Sequence, residues 1–248
     1  MLQITPTGAW GRDRHPALPL TTTDLLADLR GCLLAGAEGV HLHVRDEDGA
    51  ETLDPARVAE VCARVHGLAA ELGREVEIGL TTGAWIVPDV RDRVAMIREW
   101  EGVDCATVNL CEPGFERVME AMHEVGIGID VGLWAPAELP LLEASGVGAI
   151  AQRVSIELDE DAPPHHLQGD PLAHLDRAEQ GLDEIGVTCP RLVHGTEGWT
   201  WPLVRAALAR GHETRVGFED GVLLPSGRRA ASNAELVAAA VELRDAVP

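Results

Sequence analysis

Eight strand-like apolar runs, each followed by a segment with helical periodicity, predict an α/β fold whose parallel sheet closes into a (β/α)8 TIM barrel. The chain has 248 residues, the length at which such a barrel forms one domain, expected here over residues 1–248. A third observation is the run Val40-His41-Leu42-His43-Val44, in which apolar residues alternate with histidine. Alternation at period two marks a strand, so His41 and His43 share one face while Val40, Leu42 and Val44 share the other.

The elements follow in order. Leu2–Thr5 reads as the first strand and Pro6–Trp10 as a loop, with a polar extended connection over 11–22. Thr21-Thr22-Thr23-Asp24 caps a helix that runs to about Ala35 with apolar Leu25, Leu26, Leu29 and Leu33 on one stripe. The histidine strand comes next, then a turn at Asp46–Gly49. Asp54-Pro55 opens a helix with proline in its first turn, ending near Leu72. Strand 76–81, helix 89–100, strand 105–109, helix 115–125, strand 127–133 and helix 136–145 complete the middle of the chain. The sixth strand is expected over 149–156, followed by an acidic, proline-rich loop over 157–169 and a helix over 170–185. Strand 191–194, helix 199–210 and strand 214–218 lead to a loop over 219–232. Asn233 is expected to cap the last helix.

Composition excludes several function classes. A formal charge of -21 argues against nucleic acid or an anionic membrane surface as partner. The chain has no lysine, so neither a lysine Schiff base nor a carboxylated lysine bridging two metals can form. Five scattered cysteines without a Cys-x-x-Cys pair suit reduced thiols and a cytoplasmic location. No signal peptide and no apolar run long enough to span a bilayer stands out.

A barrel of this kind carries its chemistry at the C-terminal ends of its strands. Strand parity then selects the inward residues. His41 and His43 point inward from the second strand, as one half of a zinc site or as two hydrogen-bonded histidines in a polar layer. In the eighth strand Arg215, Gly217 and Glu219 share a face, with Val216 and Phe218 on the helix side. Glu219 therefore joins the histidines, and two imidazoles with one carboxylate leave an open coordination position. Arg215 in the mouth needs a carboxylate or an anionic ligand. Asp220 can act as base or orienter; Thr81 and Thr82 can donate to a substrate carboxylate or cap the next segment. Arg45-Asp46 is a candidate ion pair behind the ligands. His194 competes as a third ligand or serves as a core histidine, and His165-His166 reads as solvated.

Three motifs together resemble the β-keto acid cleavage enzymes, relatives of 3-keto-5-aminohexanoate cleavage enzyme. They are His-Leu-His-Val-Arg-Asp at 41–46, Leu-Thr-Thr-Gly at 80–83, and Arg-Val-Gly-Phe-Glu-Asp at 215–220 with Leu224–Gly227 and Ala231–Leu236 after it. The resemblance spans essentially the whole chain. It implies a zinc-dependent barrel that condenses a β-keto acid with acetyl-CoA, giving acetoacetate and the CoA ester of the remaining acyl group. It implies zinc on His41, His43 and Glu219, and an acid–base pair in Arg215 and Asp220. It also implies a substrate hydroxyl position for Thr81 and a place in the substrate pocket for Thr107; Thr82, Gly83, Asn109 and Asp130 at the strand ends, and Trp10 in the first loop, are expected beside them as substrate-binding residues. A homo-oligomer is also implied. One departure concerns the first loop, where the family's Asn-Gly-Ala-Glu is replaced by Thr7-Gly8-Ala9-Trp10. Trp10, Trp85 and Trp134 then give an aromatic pocket wall or simple packing. Two other classes fit the same residues: a zinc barrel hydrolase or lyase working without CoA, and a non-catalytic metal-binding barrel.

Overall fold

A computed structural model of the chain describes residues 1–160 and 163–247. The strands are β1 (Leu2–Ile4), β2 (Gly39–Leu42), β3 (Glu77–Thr81), β4 (Cys105–Asn109), β5 (Gly128–Leu133), β6 (Arg153–Leu158), β7 (Arg191–Gly195) and β8 (Glu213–Val216). They close in sequence order into one barrel, with every neighbouring pair parallel. The helices α1 (Thr22–Ala35), α2 (Pro55–Glu71), α3 (Val90–Ile97), α4 (Phe115–Val125), α5 (Leu139–Ser145), α6 (Pro171–Glu184), α7 (Thr200–Arg210) and α8 (Asn233–Asp245) follow the strands one by one. The fold is the expected (β/α)8 barrel.

Alternation along the strands separates two interiors. Ile4, Val40, Leu42, Ile78, Leu80, Val108, Val131, Val154, Ile156, Val193 and Val216 are buried in one aliphatic layer under the helices. That layer supplies most of the hydrophobic stabilisation, about 25 cal/mol per Å² of apolar surface removed from water. The alternate residues Gln3, His41, Thr81, Thr107, Asp130, Ser155, His194 and Arg215 are equally buried but polar. They line the lumen.

Short polar caps start the helices where the sequence places them. Thr21 accepts from Asp24 N, Asp54 from Arg57 N, Asp89 from Arg91 N and Asp170 from Leu172 N. Each satisfies a first-turn N–H that has no partner within its helix. At the last helix the cap is Ser232, whose side chain accepts from Glu235 N, and Asn233 is the first helical residue. The expected Asn233 cap is therefore corrected by one position. Asn233 is fully buried; its Oδ1 accepts from Phe218 N at 2.8 Å, and its Nδ2 donates to Pro6 O and Asp28 Oδ2.

Several further boundaries differ: β8 spans Glu213–Val216 where 214–218 is expected, so Phe218 and Glu219 lie in a turn, and two others have visible causes. α3 stops at Ile97, because Trp100 turns in to donate its indole N–H to Leu53 O at 3.0 Å. β6 begins at Arg153 and runs through Leu158, whereas 149–156 was expected. Residues 147–149 form a 3-10 turn instead, and the pairing of Asp130 with Arg153 sets the strand's register. Glu157 thus belongs to a strand rather than to a loop. Asp161 and Ala162, within the expected loop, lie outside the described residues. All five cysteines are free, and no helix among the described residues is long and apolar enough to cross a membrane.

Candidate active site

The C-terminal mouth of the barrel gathers His41 from β2, His43 from the first position beyond it, and Glu219 from the turn after β8. One ligand atom from each lies within 4.8 Å of the others. Local structure makes room for them. Gly8 has a positive φ of 55°, and a Cβ there would stand 2.7 Å from Glu219 Cγ. A side chain at residue 8 would displace the carboxylate, which explains glycine in that loop.

A carboxylate from outside the barrel orients the cluster. Glu51 folds back from the loop after β2 through an isolated bridge to Arg45, and its Oε1 lies 2.6 Å from His43 Nδ1. Its Oε2 accepts from Trp85 Nε1 at 3.0 Å. With Nδ1 engaged, His43 presents Nε2, 3.7 Å from Glu219 Oε1. A carboxylate behind a ligating imidazole fixes its tautomer and raises its basicity. Trp85 itself stacks near His43, and Gly83 admits its ring, since a Cβ at Gly83 would meet Trp85 at 2.4 Å.

Electrostatics follow from burial and neighbours. Burial drives His41 down to about 3, so its imidazole is neutral. Burial would lower His43 as well, but the carboxylates of Glu219 and Glu51 outweigh it and lift the group to about 9. Glu219 is buried too, yet Arg215 and the two imidazoles hold it well below the usual carboxylate range. Its Oε2 is buried without a hydrogen-bond partner among the described residues. An ionised carboxylate oxygen, orphaned beside two imidazoles, fits a divalent cation by donor type and charge.

Arg215 occupies the centre of the lumen. Its NH2 lies 2.8 Å from Asp220 Oδ1, 3.1 Å from Glu219 Oε1 and 3.9 Å from Glu157 Oε2, and its Nε donates to His194 Nδ1 at 3.1 Å. The expected carboxylate partner of this arginine is thus three partners. Asp220 is fully buried, and Thr5 Oγ1 donates to its Oδ2 at 2.9 Å. Burial pushes Asp220 above the ordinary carboxylate range despite Arg215. Glu157 is held below that range, because His194 and Arg215 outweigh its burial.

The other expected pocket residues divide. Thr81 faces the lumen, where its Oγ1 accepts from Gly83 N. Thr82 faces the other way and donates to Thr107 O at 2.8 Å, which corrects its expected donation to a substrate. Asp130 lies below the mouth, 2% exposed; Ser155 donates to it at 2.6 Å, and Thr107 Oγ1 is 3.4 Å away. Its expected place in the pocket is corrected to the layer beneath. Asn109 is bound at both ends, to Glu112 through Nδ2 and to Trp134 Nε1 through Oδ1. Trp10 stands at the rim, 44% exposed, donating to Glu219 O at 3.1 Å with Arg14 over its ring. Trp10, Arg14, Asp159, Glu197, Trp199 and Glu219 line a cavity of about 230 Å³ beside the cluster.

Arg45 and Asp46 do not pair. Arg45 donates to Gly49 O, Gly8 O and Trp10 O, and Asp46 accepts from Asp48 N and Ala50 N. His165, expected to be solvated, lies 2.9 Å from Glu138. His194 is outside the three-residue cluster and lies in the lumen beside Arg215. Sequence parity missed Glu157 and Glu51. The alternation Arg153, Ser155, Glu157 carried the signal for the first; the second is a loop residue without periodicity.

A closed barrel with a His-His-Glu cluster and buried acids at its C-terminal mouth is the architecture of a barrel enzyme. The chain belongs to the beta-keto acid cleavage enzyme family, whose model matches residues 1–153 and 162–247. It is 25% identical to the 3-keto-5-aminohexanoate cleavage enzyme of Fusobacterium nucleatum over 94% of this chain and 86% of that protein. It is 26% identical to the 3-oxoadipate:acetyl-CoA acetyltransferase of Cupriavidus necator over 96% of this chain and 85% of that protein. Among solved structures, the apo structure of ObcA superposes with a TM-score of 0.64 at 17% identity, covering 92% of this chain and 61% of that one. 3-Hexulose-6-phosphate synthase from Salmonella typhimurium gives 0.58 at 13% identity, over 98% and 97%. These two likenesses concern the fold alone.

Proposed function

We propose that the chain condenses a β-keto acid with acetyl-CoA, yielding acetoacetate and the CoA ester of the remaining acyl group. The name of the Cupriavidus relative supports acetyl-CoA as co-substrate, and family membership supports the β-keto acid. The observation that carries the reading is the orphaned Glu219 Oε2 beside His41 and His43, a donor set suited to zinc. When bound, zinc supplies Lewis acidity toward the keto and carboxylate oxygens of the substrate.

The chain's own residues supply the rest. His41, His43 and Glu219 hold the ion, with Glu51 fixing His43. Arg215 and Asp220 are the acid–base pair, the guanidinium holding the carboxylate at 2.8 Å. Thr81 offers its hydroxyl hydrogen to the substrate, since its oxygen already accepts from Gly83 N. Thr107 lies deeper on the same wall. Trp10 and Trp85, half exposed and tethered by their indole N–H groups, form the aromatic rim that excludes water from the seated acid. The protein works as a cytoplasmic homo-oligomer in this reading, which light scattering of the purified protein tests.

The first experiment is elemental analysis of the wild type and of His41→Ala/His43→Ala, followed by a panel of β-keto acids with acetyl-CoA. Stoichiometric zinc lost in the double variant, together with an acyl-CoA product, is the expected result. Turnover without acetyl-CoA replaces this reading with a metal-dependent hydrolase or lyase. Zinc and ligand binding without any turnover replaces it with a binding barrel.

A further inference from the structure

Acetyl-CoA is a polyanion, whose 3′-phosphate and diphosphate carry roughly three to four negative charges at neutral pH. The chain has a formal charge of -21, and its mouth already holds the carboxylates of Glu51, Glu157, Glu219 and Asp220. An anion of that charge approaches such a surface only where cations lower the local field. The arginines of the C-terminal loops therefore decide where its phosphates can rest.

Those arginines are not spread around the barrel. The six loops that follow β2 through β7 contain one, Arg45, whose guanidinium is engaged by the carbonyls of Gly49, Gly8 and Trp10. The other four, Arg12, Arg14, Arg228 and Arg229, all lie on the loops after β1 and β8. These strands are paired, so the two loops leave the barrel side by side. Arg229 NH2 donates to Arg14 O at 2.6 Å, and His15 Nε2 lies 3.0 Å from Ala230 O, which ties one loop to the other. The loop after β8 doubles back on itself: Leu223 and Arg229 form an antiparallel bridge, and Leu224 N donates to Arg228 O at 2.8 Å. Arg228 and Arg229 are thus held outward on a short ribbon, both exposed. Arg228 has only the exposed carboxylate of Glu235, a weak surface pair that a phosphate can replace. Arg229 has no carboxylate partner among the described residues. Arg14 joins this ribbon to the site, since it lines the cavity of about 230 Å³ with Trp10 and Glu219.

We infer that Arg228 and Arg229 form the seat for the phosphates of acetyl-CoA, from which the acyl arm enters the cavity lined by Trp10, Arg14 and Glu219. The inference rests on the acetyl-CoA reading above. It separates two tasks at the mouth: the His41–His43–Glu219 cluster takes the keto acid, and the paired arginines at the rim take the nucleotide end of the co-substrate.

The test compares acetyl-CoA with S-acetylpantetheine, the same thioester without phosphates, in steady-state kinetics. Arg228→Ala/Arg229→Ala is expected to raise the KM for acetyl-CoA about 10–100-fold, with the KM for the β-keto acid, metal content and melting temperature preserved. The difference between variant and wild type is expected to vanish with S-acetylpantetheine. Added salt is expected to raise the acetyl-CoA KM of the wild type more steeply than that of the variant. Arg228→Lys/Arg229→Lys, which keeps the charges, is expected to retain most of the affinity. Arg74→Ala removes an exposed arginine between α2 and β3, at the opposite end of the barrel, and is expected to leave the acetyl-CoA KM unchanged. An unchanged acetyl-CoA KM in the double alanine variant, an equal rise with S-acetylpantetheine, or an equal rise in Arg74→Ala overturns the inference and leaves the proposed function standing. A wild type that forms no acyl thioester from either co-substrate overturns both.

Discussion

The barrel buries charge at both ends, and the two ends are built differently. At the floor, Arg153 from β6 reaches Glu77 of β3, Glu213 of β8 at 2.6 Å and Asp130 of β5 at 3.5 Å. One cation serves three carboxylates, and Arg153 is 2% exposed. At the mouth, Arg215, two residues beyond Glu213 on β8, also serves three carboxylates, Glu157 of β6 and Glu219 and Asp220 of the turn after β8. Each end leaves buried atoms without hydrogen-bond partners among the described residues, Gln3 Nε2 and Arg153 Nε at the floor, His194 Nε2 and Glu219 Oε2 at the mouth, but only the mouth leaves a carboxylate oxygen so, beside two imidazoles. The floor's guanidinium reaches each of its acids and holds the strands' N-terminal ends together. The mouth instead leaves an acceptor oxygen of Glu219 unpaired within a group of metal-ligating side chains, at a cost in stability that a bound cation offsets. Barrel folds divide stability and chemistry between these ends in the same sense.

Removing both imidazoles should have the largest effect. His41→Ala/His43→Ala is expected to abolish metal binding and turnover while denaturant unfolding stays cooperative. Retained stoichiometric metal would contradict the cluster.

Arg153→Met strikes the other end. It leaves Glu77, Glu213 and Asp130 facing one another without their cation, an expected loss of about 3–5 kcal/mol in urea unfolding. A variant as stable as the wild type would erase the distinction between floor and mouth.

Glu51→Gln touches the mouth without removing a ligand. Metal affinity, measured by competition with a chelator, is expected to fall about 10–100-fold. An unchanged affinity would make the Glu51–His43 contact incidental.

The smallest expected effect concerns a buried acid outside the lumen. Asp28 of α1 is lifted to about 6, chiefly by burial, with only the Asn233 amide and Cys32 thiol opposing. A raised carboxyl favours folding fully below its unfolded value near 3.8, and that contribution is lost as pH rises through about 6. Asp28→Asn should therefore gain about 1–2 kcal/mol over the wild type at pH 8, with no advantage at pH 4. Thermal melts at both pH values check the sign.

Much of this was legible in the sequence. Period-two alternation marked the strands and assigned His41 and Arg215 to the lumen, because parity is local to each strand; His43 and Glu219, expected inward by the same parity, lie just beyond β2 and in the turn after β8. The sixth strand was legible in kind but misplaced in extent, and that cost Glu157 its position. The alternation Arg153-Val154-Ser155-Ile156-Glu157-Leu158 is regular, but the 3-10 turn over 147–149 begins with apolar residues that imitate a strand start. Glu51 was not legible at all. It reaches His43 only because its loop folds back onto Arg45.

By itself the sequence determined the eightfold alternation, the aliphatic layer and the facing of lumen side chains within well-placed strands, such as His41 and Arg215. Those follow from backbone geometry within single elements. Only the tertiary structure decided that Asp220 is sealed, that Glu157 stands beside Arg215, that Asp130 lies beneath the pocket and that Glu51 backs His43. Each of these depends on distances between different strands and loops, set by barrel closure and stagger. Burial and partner count, which assign each buried charge to structure or to chemistry, are properties of that closed assembly.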